Sequence, residues 1–219
     1  MSVRIFLSYS HKSRKLAGEL KDGLESFGFS VFLAHEDLKP SVPWRKEILK
    51  NLRQCDVFIP ILTRGFTESD WTDQATGFAL ALKKKIIPVR VHDNPYGFIG
   101  AFQALRLNKN SPDTTCWEIA ECLHEESRFA QAVKDGAIDM FVSSSDFKEV
   151  ASRVKKLLRF RPFSAEQLQR IVEGGTSNNG IYGCHAAQTP MRTLLEDAKG
   201  KVSRRAIRNY LDAVKSWPY

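Results

Sequence analysis

The sequence predicts an α/β fold, a parallel four- to five-stranded sheet wrapped by helices and followed by a C-terminal helical extension. Short apolar runs rich in β-branched and aromatic residues recur at 3–8, 29–33, 56–62 and 86–91, helical patterns separate them, and beyond residue 110 helices dominate. Strands buried on both faces read as continuous apolar runs, whereas half-exposed strands alternate. Runs of the first kind alternating with helices point to a parallel sheet covered on both sides.

The first strand, 3–8, leads through a polar segment at 9–13 into a helix with Leu16, Leu20 and Leu24 on one face, stopped by Gly28. Residues 29–33 supply the second strand, and 34–43 a polar loop punctuated by Pro40 and Pro43. A helix from Trp44 to about Arg53 places Ile48 and Leu52 together, 56–62 is a central strand, 71–82 a helix and 86–91 a fourth strand. Asn94-Pro95-Tyr96-Gly97 is a turn, and 103–107 a short, weaker strand. Helices are expected at 114–134 and 146–159, the second capped by Ser145 or Asp146, then at 165–173 and within 191–215, with a Gly/Ser/Asn loop over 174–183. The expected organisation is a core over 1–110, helices completing or flanking it over 111–160, and a basic helical extension over 161–219.

Composition is that of an ordinary globular protein: 219 residues, 42% hydrophobic, 26% charged, net charge +8. Residues 1–150 carry 20 basic and 20 acidic side chains and residues 151–219 carry 13 and 5, so the whole excess lies in the last third. No run approaches the roughly 18 apolar residues of a membrane span, and the N-terminus enters its first strand without a signal-peptide core, so no membrane association and a cytoplasmic location are expected. Cys55, Cys116, Cys122 and Cys184 are too sparse for a disulfide scaffold, and Cys184-His185 lacks the spaced partners of a zinc site, so no metal is expected. The first strand-to-helix turn, 8–13, has no glycine, which disfavours a glycine-loop dinucleotide fold; no phosphate-loop, HExxH or nucleophile-elbow motif is present. Ligands of open parallel sheets bind beyond the carboxyl ends of the strands, here the loops at 8–13, 34–43, 63–70 and after 91.

Five motifs occur in order along the chain: Phe6-Leu7-Ser8-Tyr9-Ser10-His11-Lys12; residues 31–40 with Glu36-Asp37-Leu38-Lys39-Pro40; Trp44 with Glu47-Ile48; Ser69-Asp70-Trp71-Thr72-Asp73-Gln74; and Lys84-Lys85-Ile86-Ile87-Pro88. Over residues 3–110 the chain resembles a bacterial Toll/interleukin-1 receptor (TIR) domain, a flavodoxin-like fold. The nearest competing fold, a response regulator, would need an acidic phosphoacceptor pocket after the first and third strands, which is missing.

The resemblance implies an enzyme that takes NAD+ as substrate, with no further cofactor, and cleaves its nicotinamide–ribose bond. The short form with a helical extension resembles the TIR subunit of the Thoeris anti-phage system, which implies an ADP-ribose-derived signal, a downstream effector protein and self-association of TIR domains. An oxocarbenium-like transition state is stabilised by a carboxylate beside the ribose. In the family this is a Glu four residues beyond the tryptophan of the third helix, one turn away on the same face. This chain reads Trp71-Thr72-Asp73-Gln74-Ala75-Thr76-Gly77-Phe78-Ala79, with Ala75 at that position. Asp73 lies about 200° around the helix from it, and Glu68 and Asp70 precede the helix. The chain as given is therefore expected to be inactive, since losing a positioned acid–base group costs about 10²- to 10⁴-fold. Retention of the surrounding motif favours a deliberate Glu-to-Ala substitution over natural decay.

By the same resemblance, Phe6, Ser8, Tyr9, Ser10 and His11 would touch substrate, Asp37, Leu38 and Lys39 would belong to a loop that gates the pocket, and Trp44 and Trp71 would stack on a ring as well as anchor their helices. Each has a plainer reading, as core, helix cap or charged surface loop. Lys83, Lys84 and Lys85 suit a helix C-terminus, and His92, His124 and His185 have no visible partners. Lys155, Lys156, Arg159, Arg161, Lys201, Arg204, Arg205 and Arg208 read as a solvated or partner-facing surface; without an aromatic–basic module, nucleic acid is not expected as a partner. Two other functions remain: a non-enzymatic TIR scaffold or adaptor, and a receptor that binds a nucleotide without cleaving it.

Overall fold

A computed structural model describes residues 2–33 and 44–217, for Trp44 the backbone alone. The chain forms two compact units, Met1–Leu123 and His124–Tyr219. The first holds strands β1 (Arg4–Ser8), β2 (Ser30–Leu33), β3 (Val57–Leu62), β4 (Lys85–Ile86), β5 (Val89–Arg90) and β6 (Leu105–Arg106), with helices α1 (Arg14–Glu25), α2 (Trp44–Gln54), α3 (Asp70–Ala81) and α4 (Pro112–His124). The sheet is parallel in order β2-β1-β3-β5-β6, with β4 also on β3. β1 and β3 are thus central, and their continuous apolar runs are buried.

The expected fourth strand is split in two for a readable reason. β4 pairs Lys85 and Ile86 with Val57 and Phe58, and β5 pairs Val89 and Arg90 with Ile61 and Leu62. The same register sets Pro88 opposite Pro60, and neither can donate to the ladder, so the pairing lapses between the halves.

One face of the sheet carries a core of Phe6, Phe58, Leu62 and Ile86 under Ile48 and Leu52 of α2 and Ala75 and Ala79 of α3. α1 and α4 pack together, Trp117 meeting Phe27 edge-on at 4.9 Å. Lys84 does not serve its own helix: its Nζ donates to the carbonyls of Arg53, in the last turn of α2, and of Cys55, just after it, both at 2.7 Å. Burial pushes the Cys55 thiol up to about 11, although Lys84 pulls the other way. Cys116 and Cys184 are also buried and Cys122 is half-buried, all as free thiols.

The second unit contains α5 (Ser127–Val142), α6 (Phe147–Leu157), α7 (Ala165–Ser177), α8 (Asn179–Tyr182), α9 (Gln188–Ala198) and α10 (Arg204–Ser216). Two expectations are corrected here. The single helix expected over 114–134 is two, α4 and α5, because Glu126 takes an extended conformation as N-cap of a helix that runs on to Val142. The expected loop over 174–183 is largely helical, since α7 continues through Gly174 and Gly175 and Asn178 caps α8. Both glycines are needed for close packing: a Cβ on Gly174 would stand 2.4 Å from Val142 Cγ1, and one on Gly175 would stand 3.2 Å from the Tyr210 ring. Asp146 caps α6 by accepting from the Glu149 amide, and Ser164 and Gln167 form a capping box on α7.

Part of the basic excess is spent inside this unit. Arg161 makes two bonds to Asp197, at 2.5 and 2.7 Å, and Arg170 pairs with Asp135 and Asp139. Arg204, Arg208 and Lys215 of α10, with Lys199, border a shallow groove floored by Ile207 and Leu211. No helix among the described residues is long and apolar enough to cross a membrane.

Candidate active-site cleft

A cleft of about 770 Å³ opens between α2 and α3 over the carboxyl end of β1. β1 contributes Phe6 and Ser8, and Tyr9 follows; α2 contributes Arg45, Ile48, Leu49 and Leu52; α3 and its cap contribute Ser69, Trp71, Thr72, Gln74, Ala75 and Phe78. Helical spacing explains the α3 set, because residues 71, 74, 75 and 78 follow the i, i+3, i+4, i+7 stripe of one face. The 63–70 loop is pinned to that helix by the Thr72 hydroxyl, which donates to the carbonyls of Phe66 and Ser69. Thr76 repeats the device one turn on, donating to the Thr72 carbonyl at 2.7 Å.

The structure gathers Phe6, Ser8, Tyr9, Trp71 and Ala75 around this single cleft. Ala75 is 8% exposed and Trp71 38%, so Ala75 lies deep and Trp71 nearer the mouth. Phe6 stacks against Phe58 at 5.7 Å and tilts against Phe32 at 5.2 Å, and so joins the core to the cleft wall. Ser10 and His11 are elsewhere. The Ser10 hydroxyl is buried 3.1 Å from that of Thr63, which accepts from the Ser13 hydroxyl at 2.8 Å, and this ties the β1–α1 loop to the end of β3. His11 begins a short 3-10 turn and is exposed. Asp37, Leu38, Lys39 and the side chain of Trp44 lie outside the described residues.

Arg45 is the feature that sequence reasoning missed. Its guanidinium carbon sits 5.4 Å from the centroid of the Trp71 ring, and it is the one charged side chain among the described residues that line the cleft. Its place directly after Trp44, at the start of α2, is the signal the sequence offers. Asp73 faces away and accepts from the Tyr96 hydroxyl. Burial first, and then that bond, raise the Tyr96 hydroxyl above its ordinary value. Chemically the cleft offers an apolar trough, the hydroxyls of Ser8, Tyr9, Ser69 and Thr72, the amide of Gln74, an exposed indole and a cation, a set suited to a flat ring carrying an anionic group.

Residues 5–120, just over half the chain, match the family model described as TIR domain. Solved structures to which the chain is similar include the TIR domain of the Toll-related receptor TRR-2 from Hydra magnipapillata, at 19% identity over 52% of this chain and 92% of that one, with a TM-score of 0.45. Others are the CMP N-glycosidase BcmB of Clostridium botulinum (21% identity over 53% of this chain and 98% of that one, TM-score 0.40) and the TIR domains of the activated Roq1 resistosome that recognises the pathogen effector XopQ (14% identity over 72% of this chain and 96% of that one, TM-score 0.39). No curated protein matches the chain.

Proposed function

The chain belongs to the TIR domain family, and on that premise we propose that the cleft over β1 is a site for cleaving the nicotinamide–ribose bond of NAD+. The observation that carries this reading is the place of Ala75. It lies deep in the cleft, one turn beyond Trp71 on the same face of α3. A glutamate side chain there would reach into the cleft beside a ring held near Trp71.

In the reaction, the C–N bond to nicotinamide breaks with its electron pair leaving on the ring nitrogen, so the departing nicotinamide is neutral. The ribosyl group that remains is oxocarbenium-like and is captured by water, which loses a proton to give ADP-ribose, or by a nitrogen of the substrate's own adenine, to give a cyclic product. A carboxylate at position 75 would stabilise the positive charge and hold the ribose hydroxyls. With Ala75 the apolar walls remain but this stabilisation is lost, so the chain as given binds and does not turn over. Its biological setting, on the resemblance to the Thoeris TIR subunit, is anti-phage defence in the cytoplasm, with the nucleotide product acting on an effector protein and TIR self-association assembling the active form.

Measuring nicotinamide release by the Ala75→Glu protein tests this reading. Turnover that appears with the carboxylate and is absent without it supports it, and an Ala75→Glu protein that stays inactive while self-associating supports a scaffold instead. The cleft that persists without its carboxylate favours one second reading, a nucleotide receptor. Titrating the unmodified chain with NAD+ and ADP-ribose tests that reading, because a receptor holds the product-like ligand more tightly.

A further inference from the structure

We propose that Arg45 is the phosphate-recognition residue of this cleft, steadied for that task by the Trp71 ring, so that the cleft selects nucleoside phosphates over unphosphorylated nucleosides. The inference rests on the nucleotide reading above and adds to it the residue that reads the anionic part of the ligand.

Arg45 is the second residue of α2 and is exposed, with its guanidinium carbon 5.4 Å from the centre of the Trp71 ring. An exposed arginine that binds an anion loses the rotamer freedom of its long side chain, and a contact that already restricts it lowers that loss. The attraction to the ring engages the charge through the π face, while a guanidinium carries five N–H donors in a planar fork matched to phosphate oxygens. The ring contact and a two-pronged phosphate contact are therefore compatible.

The neighbouring residues give the ligand a direction. Ile48, Leu49, Leu52 and Phe78 form apolar flanks, and among the described residues that line the cleft Arg45 is the one that carries a charge. Asp73, in the first turn of α3, accepts from Tyr96 outside the cleft. A cationic nicotinamide ring is repelled by the guanidinium and a phosphate attracted, so the phosphates belong at the mouth beside Arg45 and the scissile ribose inward toward Ala75.

Calorimetric titration of the full chain with adenosine and with ADP-ribose, on the unmodified protein and on Arg45→Gln and Arg45→Lys, tests the proposal. The unmodified protein should bind ADP-ribose at least about tenfold more tightly than adenosine, as hydrogen bonds to charged groups imply. Arg45→Gln should remove that preference and leave adenosine binding within about twofold, and Arg45→Lys, which keeps the charge without the fork, should fall between them. In the Ala75→Glu background, Arg45→Gln should raise KM for NAD+ while kcat holds. If the unmodified chain binds ADP-ribose and Arg45→Gln binds it equally well, or weakens both ligands alike, the role of Arg45 is overturned while the nucleotide site stands. If the unmodified chain binds neither ligand, the nucleotide reading falls and this inference with it.

Discussion

Trp71 and Ala75 stand one turn apart on α3 and open into the same cleft. One turn further along that helix, Ala79 is fully buried in the core beneath it. The same face of one helix thus passes from binding surface to core within three turns.

That transition predicts opposite responses to the same substitution. Ala75→Glu can extend its carboxylate into the cleft and should cost no more than about 1–2 kcal/mol, whereas Ala79→Glu buries a charge without a partner and should cost more than about 3 kcal/mol. Urea unfolding of the two proteins measures the difference, and equal losses would contradict this placement of the cleft.

Two adjacent lysines should respond with opposite signs. Lys84→Met removes donation to the carbonyls of Arg53 and Cys55 and should destabilise the first unit by about 1–2 kcal/mol. Lys83 sits at φ 53°, the left-handed region, where its N–H bonds the Leu80 carbonyl at the end of α3. Lys83→Gly should therefore stabilise by about 0.5 kcal/mol, relief of backbone strain outweighing the greater freedom of the unfolded chain. Thermal unfolding of both variants checks the two signs together.

In the second unit, Gly174→Ala should cost about 1–3 kcal/mol, because its Cβ would meet Val142 Cγ1 at 2.4 Å. Val142→Ala should cost stability by itself yet recover part of the Gly174→Ala loss when the two are combined. A double-mutant cycle in urea reads the coupling, and strict additivity would mean that the two residues do not meet.

The hydrogen bonds from Arg161 come first among the causes that hold the Asp197 carboxyl below its ordinary value. A carboxyl lowered in the folded state contributes stability above its unfolded value of about 4, and that contribution is lost as pH falls through the folded value. The pair is partly exposed, so Asp197→Asn should cost only about 0.5–1 kcal/mol at pH 7. The gap to the unmodified protein should close in more acidic solution, and stability curves for both proteins between pH 7 and pH 3 would show it; a constant gap would refute the assignment.

Strands with continuous apolar runs and helices with a clear stripe, such as α1 with its buried Leu20 and Leu24, are legible from sequence because each follows from local periodicity. The division of the fourth strand was less so: Pro88 alone does not reveal that the register would bring Pro60 opposite it. Over Gly174 and Gly175 the sequence predicts a loop because glycine signals a turn locally, whereas in the structure it permits α7 to approach Val142 and Tyr210, partners 32 and more residues away in sequence. Lys84 belongs to the same class, since its partners lie at the C-terminal end of a different helix.

The sequence by itself determined the α/β order, the family motifs, the spacing from Trp71 to position 75 and the concentration of positive charge in the last third. Those are properties of neighbouring residues and of helical and strand periods, which act within one element. Only the tertiary structure decided that Phe6, Trp71 and Ala75 share a cleft, that Ser10 is taken up by Thr63, that Arg161 is paired with Asp197, and that Arg45 comes to rest against Trp71. These contacts join side chains from separate elements, and the packing of α2 and α3 on the sheet brings the cleft residues together, so no local pattern could contain them.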